Sequence, residues 1–323
     1  MNVKIGIPKA MSYYLNPVLY DTFFESLGIE VVYSKDTNKK ILEDGKRYSI
    51  DEDCLASKIY IGHVANLVER EKEENIDYIL IPRISYFDKR ETVCVKFYAM
   101  YDICKNIFDA KFIDLNIDYP QGMTEFNAFV KLGKKLNFKY SKIIKSYMYA
   151  KRKEKEDIYI KYKQQIEKLN KYKNDMNILI VAHPYISYDN YLGGNIVKYF
   201  RDNKINVCFA DVNKYNLNNN RKIKNIDSYL SVSQALYWKY NKNLVNGLIE
   251  YMAYVDGIVY LSTFPCGPDA LVNDLLMRKL KSKPSINIIL DEQEMGAGLY
   301  TRLESFLDIL EQNNTKKYIK EVG

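Results

Sequence analysis

Apolar positions along the chain fall into short unbroken runs, separated by stretches in which apolar residues recur every three or four positions. Such runs suit strands buried on both faces, and the periodic stretches suit the helices that cover them. Residues 3–11 form the first run. A helix through Asp21, Phe23, Phe24 and Leu27 follows, and Gly28 stops it. Residues 29–33, 77–84 and 112–115 read as further strands, and Cys54 opens a helix through Ile59, Ile61, Val64 and Leu67. Beyond a Lys-rich helical stretch the pattern restarts, with strands at 176–182, 206–211, 257–262 and 285–290. Between and after them lie helices around Ile196, Val197 and Phe200, around Leu244, Val245, Leu248 and Met252, over 269–280 and over 301–310. This alternation predicts an α/β chain of two doubly wound lobes facing one another across a cleft. The first lobe is expected over residues 1–173, with appended helices at 120–173, and the second over 174–323.

Composition adds limits. With 47% hydrophobic and 28% charged residues the chain is globular. It has no apolar run of ~18 residues, and its first residues read as a strand rather than a signal peptide. Its five cysteines show no close pairing, which fits a reducing compartment and points to the cytoplasm. The net charge of +7 is concentrated: residues 133–173 hold 14 Lys/Arg against 4 Asp/Glu, so the remainder is net negative. This stretch reads first as a solvated helix face. Its sharper alternative is a landing site for an acidic partner or a phosphate-bearing ligand. No nucleic-acid motif accompanies the charge. Phosphate-loop, dinucleotide and nucleophile-elbow motifs are absent too, so ATP-driven chemistry would need a second polypeptide.

The cysteines carry the chemistry. Cys54 follows Asp51-Glu52-Asp53, Cys94 follows a strand by a short loop, and Cys266 sits in Pro265-Cys266-Gly267-Pro268-Asp269 after another strand. Parallel sheets place ligands beyond the carboxyl ends of their strands, so all three could converge there. A thiolate at a helix start meets the positive end of the helix, which lowers its pKa and favours metal binding. Three thiolates can hold three irons of a four-iron cluster and leave the fourth open. Zinc is the rival metal; it wants a fourth ligand, and the chain has only two histidines, His63 and His183. Cys104 and Cys208 lie in apolar helix and strand patterns and read as inert core thiols.

His63 lies two and a half turns into the helix that Cys54 opens and reads as a packed histidine bonded to a backbone carbonyl. His183 follows a strand into the cleft with Tyr185 and Tyr188 and is a candidate for ligand contact or acid–base help. Glu292 lies in Asp291-Glu292-Gln293-Glu294, also after a strand. The catalytic candidates are therefore His183, Tyr185 and Glu292.

Motifs spanning nearly the whole chain carry a resemblance. They are Ile-Gly-Ile-Pro-Lys-Ala-Met, Asp-Cys-Leu-Ala-Ser-Lys-Ile-Tyr-Ile-Gly-His-Val, Cys-Val-Lys-Phe, Leu-Tyr-Trp around Trp238, Cys-Gly-Pro-Asp, and Asp-Glu-Gln-Glu-Met-Gly-Ala-Gly. Together they resemble the uncharacterised domain associated with activators of 2-hydroxyacyl-CoA dehydratases. That family is similar, more distantly, to 2-hydroxyacyl-CoA dehydratase and benzoyl-CoA reductase subunits. The resemblance implies two flavodoxin- or Rossmann-like lobes and a [4Fe-4S] cluster held by Cys54, Cys94 and Cys266. It also implies low-potential electrons from a separate actin-like, ATP-dependent activator, in an anaerobic metabolism. An acyl-CoA substrate and a homodimer or heterodimer would follow the same pattern. Val95 replaces the proline of a Cys-Pro step, Lys9 replaces arginine, and Gln293 stands where a histidine often follows Asp-Glu. The last of these puts a hydroxyacyl-CoA dehydration in doubt. The function expected is that of a dehydratase- or reductase-like iron–sulfur component. The rivals are a non-redox two-lobe binding or assembly protein and a zinc protein.

Overall fold

Eight strands form two four-stranded parallel sheets of the same order, β2-β1-β3-β4 and β6-β5-β7-β8, in a computed structural model that describes residues 3–217, 232–292 and 297–322. The first sheet comprises β1 (Lys4–Ile7), β2 (Glu30–Tyr33), β3 (Tyr78–Tyr86) and β4 (Phe112–Asp118). The second comprises β5 (Asn177–Val181), β6 (Asn206–Phe209), β7 (Gly257–Thr263) and β8 (Ser285–Leu290). Helices of the first lobe are α1 (Ser12–Leu15), α2 (Pro17–Leu27), α3 (Lys39–Tyr48), α4 (Leu55–Arg70), α5 (Lys96–Ile107), α6 (Glu125–Lys135) and the long α7 (Tyr140–Lys171). The second lobe carries α8 (Pro184–Ser187), α9 (Asn195–Asp202), α10 (Lys214–Leu217), α11 (Lys239–Tyr251), α12 (Gly267–Lys279) and α13 (Ala297–Val322). The chain is thus an α/β protein of two doubly wound lobes. Among the described residues no helix is long and apolar enough to cross a membrane.

Side-chain alternation along the strands explains the layers. In the second sheet Ile178, Ile180, Val259 and Leu261 point into one core, while Leu179, Val181, Ile258 and Tyr260 point into another. The first of these cores also holds Ile5, Ile79 and Phe97, so it runs through both lobes and couples them.

Three elements differ from expectation. The run at 3–11 yields only Lys4–Ile7 as strand, and Met11 turns the chain with φ 41°. The last helix, Ala297–Val322, is longer than 301–310. Helix α3 is the third: it is absent from the expected elements, although Ile41, Leu42 and Gly45 share a buried face, and it meets α4 through glycine. A Cβ on Gly45 would stand 2.0 Å from the Lys58 carbonyl oxygen, and one on Gly62 would stand 1.9 Å from that of Ile41. The two backbones therefore touch.

Beside this contact a polar chain joins the lobes. Thr37 Oγ1 donates to Asp189 of the second lobe, so it must accept the Nε2 proton of His63 at 2.9 Å. His63 Nδ1 then accepts from Ser34 Oγ at 2.7 Å, and Ser34 in turn accepts the Lys9 backbone N–H. His63 is fully buried and bonds to two hydroxyls, not to a backbone carbonyl as its position suggested. Burial, helped by the nearby Lys9 charge and opposed by Asp36, pushes its pKa down to about 3. Asp189, also buried, is pushed up by burial despite its Thr37 and backbone donors.

Two outcomes follow. Gly62→Ala forces α3 away from α4 and should destabilise the protein by about 2–3 kcal/mol, read as a lowered midpoint in denaturant. The second concerns pH. His63 stays neutral when folded but takes a proton below pH ~6.5 when unfolded. Its stabilisation is complete above that pH and lost toward pH 3, at up to ~1.4 kcal/mol per pH unit. His63→Gln removes this dependence, so the stability gap between wild type and variant should narrow as the pH falls from 6.5; a constant gap would refute it.

Candidate functional site

The three cysteines reach one cavity from three helix starts. Cys54 is the residue before α4 and Cys266 the residue before α12, while Cys94 lies two residues before α5. Each carbonyl accepts a bond from its helix: Lys58 N–H to Cys54 at 3.0 Å, Phe97 N–H to Cys94 at 3.0 Å, and Ala270 N–H to Cys266 at 3.0 Å. The helix starts leave further N–H groups without intrahelical partners. Those of Ser57, Lys96 and Asp269 favour the thiolates of Cys54, Cys94 and Cys266 respectively, with no side-chain cap bond at Cys54 or Cys266.

The sheets dictate this convergence. In each, the strand order reverses between the two central, parallel strands, and the crevice beyond that point is where such folds bind ligands. Met11 follows β1 and Cys94 follows β3; His183 and Tyr185 follow β5, and Cys266 follows β7. All five line the cavity, together with Cys54, Lys96, Phe97, Trp238, Tyr240, Asn241 and Asp269.

Main-chain bonds fasten the cysteine segments across the lobes. Leu55 N–H, beside Cys54, donates to the Phe264 carbonyl at 2.8 Å, two residues from Cys266. Thr92 N–H donates to the Tyr237 carbonyl at 3.0 Å and the Thr92 carbonyl accepts from Lys239 N–H at 2.9 Å, which ties the Cys94 loop to the Trp238 segment. Lys96 forms an ion pair with the buried Asp53, so the acidic run before Cys54 is partly neutralised on the spot.

The thiols are half-buried, and this corrects the expectation that the helix starts lower their pKa. Burial is the largest influence on each and raises its pKa, outweighing the helix N–H groups. Cys54 is pushed further by Cys94 and Asp53, and Cys266 by Asp269 and Cys54. The three sulfurs therefore act on one another, and desolvation wins over the helix dipole. Cys104 and Cys208 are buried in the core, and Cys208 Sγ donates to the Ile178 carbonyl at 3.2 Å.

His183 and Tyr185 belong to the cavity. Their rings stack at 5.1 Å with 14° between planes, and His183 Nε2 lies 2.9 Å from Asp269 Oδ1. Asn241 Nδ2 donates to the same oxygen at 2.7 Å. His183 Nδ1 and Asp269 Oδ2 are buried without a hydrogen-bond partner. Tyr188 turns elsewhere and donates to Asp211 Oδ2 at 3.0 Å. Glu292 is not among the cavity-lining residues; it pairs with Lys58 and, at 3.7 Å, with Lys46 across the lobes. Gln293, Glu294 and Gly296 lie outside the described residues. The basic helix α7 contributes nothing to the cavity lining and pairs its charges locally, as in Lys153–Glu156 at 2.9 Å and Lys161–Asp157 at 2.7 Å.

Met11, Asn241 and Tyr240 carry no chemical motif, and only the fold brings them here. Asp269 was visible as part of Cys-Gly-Pro-Asp, three residues past Cys266, without its role.

Three thiols on one cavity beside an aromatic wall of Phe97, Tyr185, Trp238 and Tyr240 are donors that a thiolate-bound metal group would use. Among the described residues no group of three or more His, Cys, Asp or Glu is placed to hold a metal ion.

No curated relative is found by sequence comparison. Among solved structures, one similar chain is an ABC transporter periplasmic solute binding protein from Actinobacillus succinogenes 130z with bound D-allose. Identity is 10%, coverage is 90% of this chain and 77% of that one, and the TM-score is 0.19. A family model described as CoA enzyme activase uncharacterised domain (DUF2229) matches residues 4–212, a span that includes Cys54 and Cys94 and ends before Cys266. The chain belongs to that CoA enzyme activase-associated family.

Proposed function

We propose that the protein is an iron–sulfur component of a CoA enzyme activase system. In this reading it holds a [4Fe-4S] cluster through Cys54, Cys94 and Cys266 and takes low-potential electrons from a separate actin-like, ATP-dependent activator. The observation that carries the reading is the meeting of three thiols, from three helix starts and both lobes, on one cavity. Family membership supports the link to activases. When bound, such a cluster supplies one-electron chemistry and an iron with a free position for an exogenous ligand. The substrate class proposed is an acyl-CoA.

The chain's own residues have defined tasks in this reading. Metal uptake displaces three thiol protons, and the Ser57, Lys96 and Asp269 N–H groups compensate the charge that remains on sulfur. Phe97, Tyr185, Trp238 and Tyr240 restrict water beside the thiols. Lys96 balances Asp53, and His183 presents an unpartnered Nδ1 at the cavity.

The test is electron uptake. The anaerobically prepared chain is mixed with an actin-like activator of a CoA enzyme, MgATP and a strong reductant, and followed by electron paramagnetic resonance. An ATP-dependent signal that Cys94→Ser abolishes is expected. An iron-loaded chain that no activator reduces would contradict the electron-accepting role and favour a non-redox binding protein.

A further inference from the structure

Asp269 is a buried carboxylate, 3% exposed, standing third in α12 and on the wall of the thiol cavity. Two donors, His183 Nε2 at 2.9 Å and Asn241 Nδ2 at 2.7 Å, bind Oδ1. Oδ2 has no nitrogen or oxygen donor, and the carboxylate lies in hydrogen-bond reach of the Cys266 thiol. The His183 ring is itself clamped by the Tyr185 stack, so the carboxylate cannot rotate without breaking both Oδ1 bonds. Its negative charge acts on two of the three thiols, Cys266 and Cys94.

We infer that Asp269 lowers the reduction potential of the iron–sulfur group held by Cys54, Cys94 and Cys266, an inference that rests on the function proposed above. Adding an electron makes such a group more negative. A fixed negative charge a few ångströms away in a poorly polarisable setting opposes that step. His183 and Asn241 act through Asp269: they hold the carboxylate in place beside the thiols. The residue touches no substrate in this account and acts on the metal group through the thiolates.

The test uses the full chain, prepared and reconstituted without oxygen, as wild type, Asp269→Asn, Asp269→Ser and Asp269→Glu. Iron and sulfide are counted first, then the midpoint potential is measured by dye-mediated redox titration. The neutral variants should keep their iron and show a midpoint raised by about 59 mV or more, a tenfold change in the one-electron equilibrium. Asp269→Glu, which retains the charge, should stay near wild type. Unchanged potentials in iron-loaded neutral variants would overturn the inference. So would loss of iron in both neutral variants with retention in Asp269→Glu, which would make the residue a determinant of assembly instead. A wild-type chain that takes up no iron would sink the underlying reading, and the metal count shows this before any potential is measured.

Discussion

A helix start needs partners for its first N–H groups, and in this protein those partners decide where the cysteines lie. At α4 the Leu55 N–H is satisfied by the Phe264 carbonyl of the opposite lobe. One short segment beside Cys54 thus binds both lobes. The Cys94 loop repeats the arrangement, with Thr92 paired to the Trp238 segment. Because these bonds cross between lobes, the site exists only when the lobes are closed on one another. The apolar core running through both sheets and the His63–Thr37–Asp189 chain hold that closure.

Burial and charge oppose each other at the thiols, and the balance explains why the site suits a metal group better than a free nucleophile. Desolvation favours the neutral thiols more strongly than the helix N–H groups favour thiolates. A nucleophilic cysteine depends on its thiolate. A cluster supplies the missing positive charge itself, and the same N–H groups then serve the bound sulfurs. The buried Asp269–His183 pair belongs to this balance, as a carboxylate held beside the thiols.

Much of the fold was legible because a parallel sheet leaves a simple trace. Strands buried on both faces read as apolar runs, as at residues 285–290, where expectation and β8 coincide. Helix α3 was missed although Ile41 and Leu42 mark its buried face; what no hydrophobic pattern counts is its close approach to α4 at Gly45 and Gly62. Cys54, Cys94 and Cys266 could be singled out from their positions before helices and after strands, and the fold brings them to one cavity. Their half-buried state was not readable, because burial at the cavity comes from Tyr185, Trp238 and Tyr240, far away in sequence. The same distance hid the partners of His63: Thr37 sits in a loop, and Asp189 belongs to the other lobe.

The central claim is that three thiols from two lobes hold one iron–sulfur group. Iron and acid-labile sulfide, counted in the anaerobically purified chain and in its single cysteine variants, test it most directly. The account predicts about four of each per chain, with losses in Cys54→Ser, Cys94→Ser and Cys266→Ser and none in Cys104→Ser or Cys208→Ser. Iron that is absent after reconstitution, or that survives all three ligand substitutions, would contradict it.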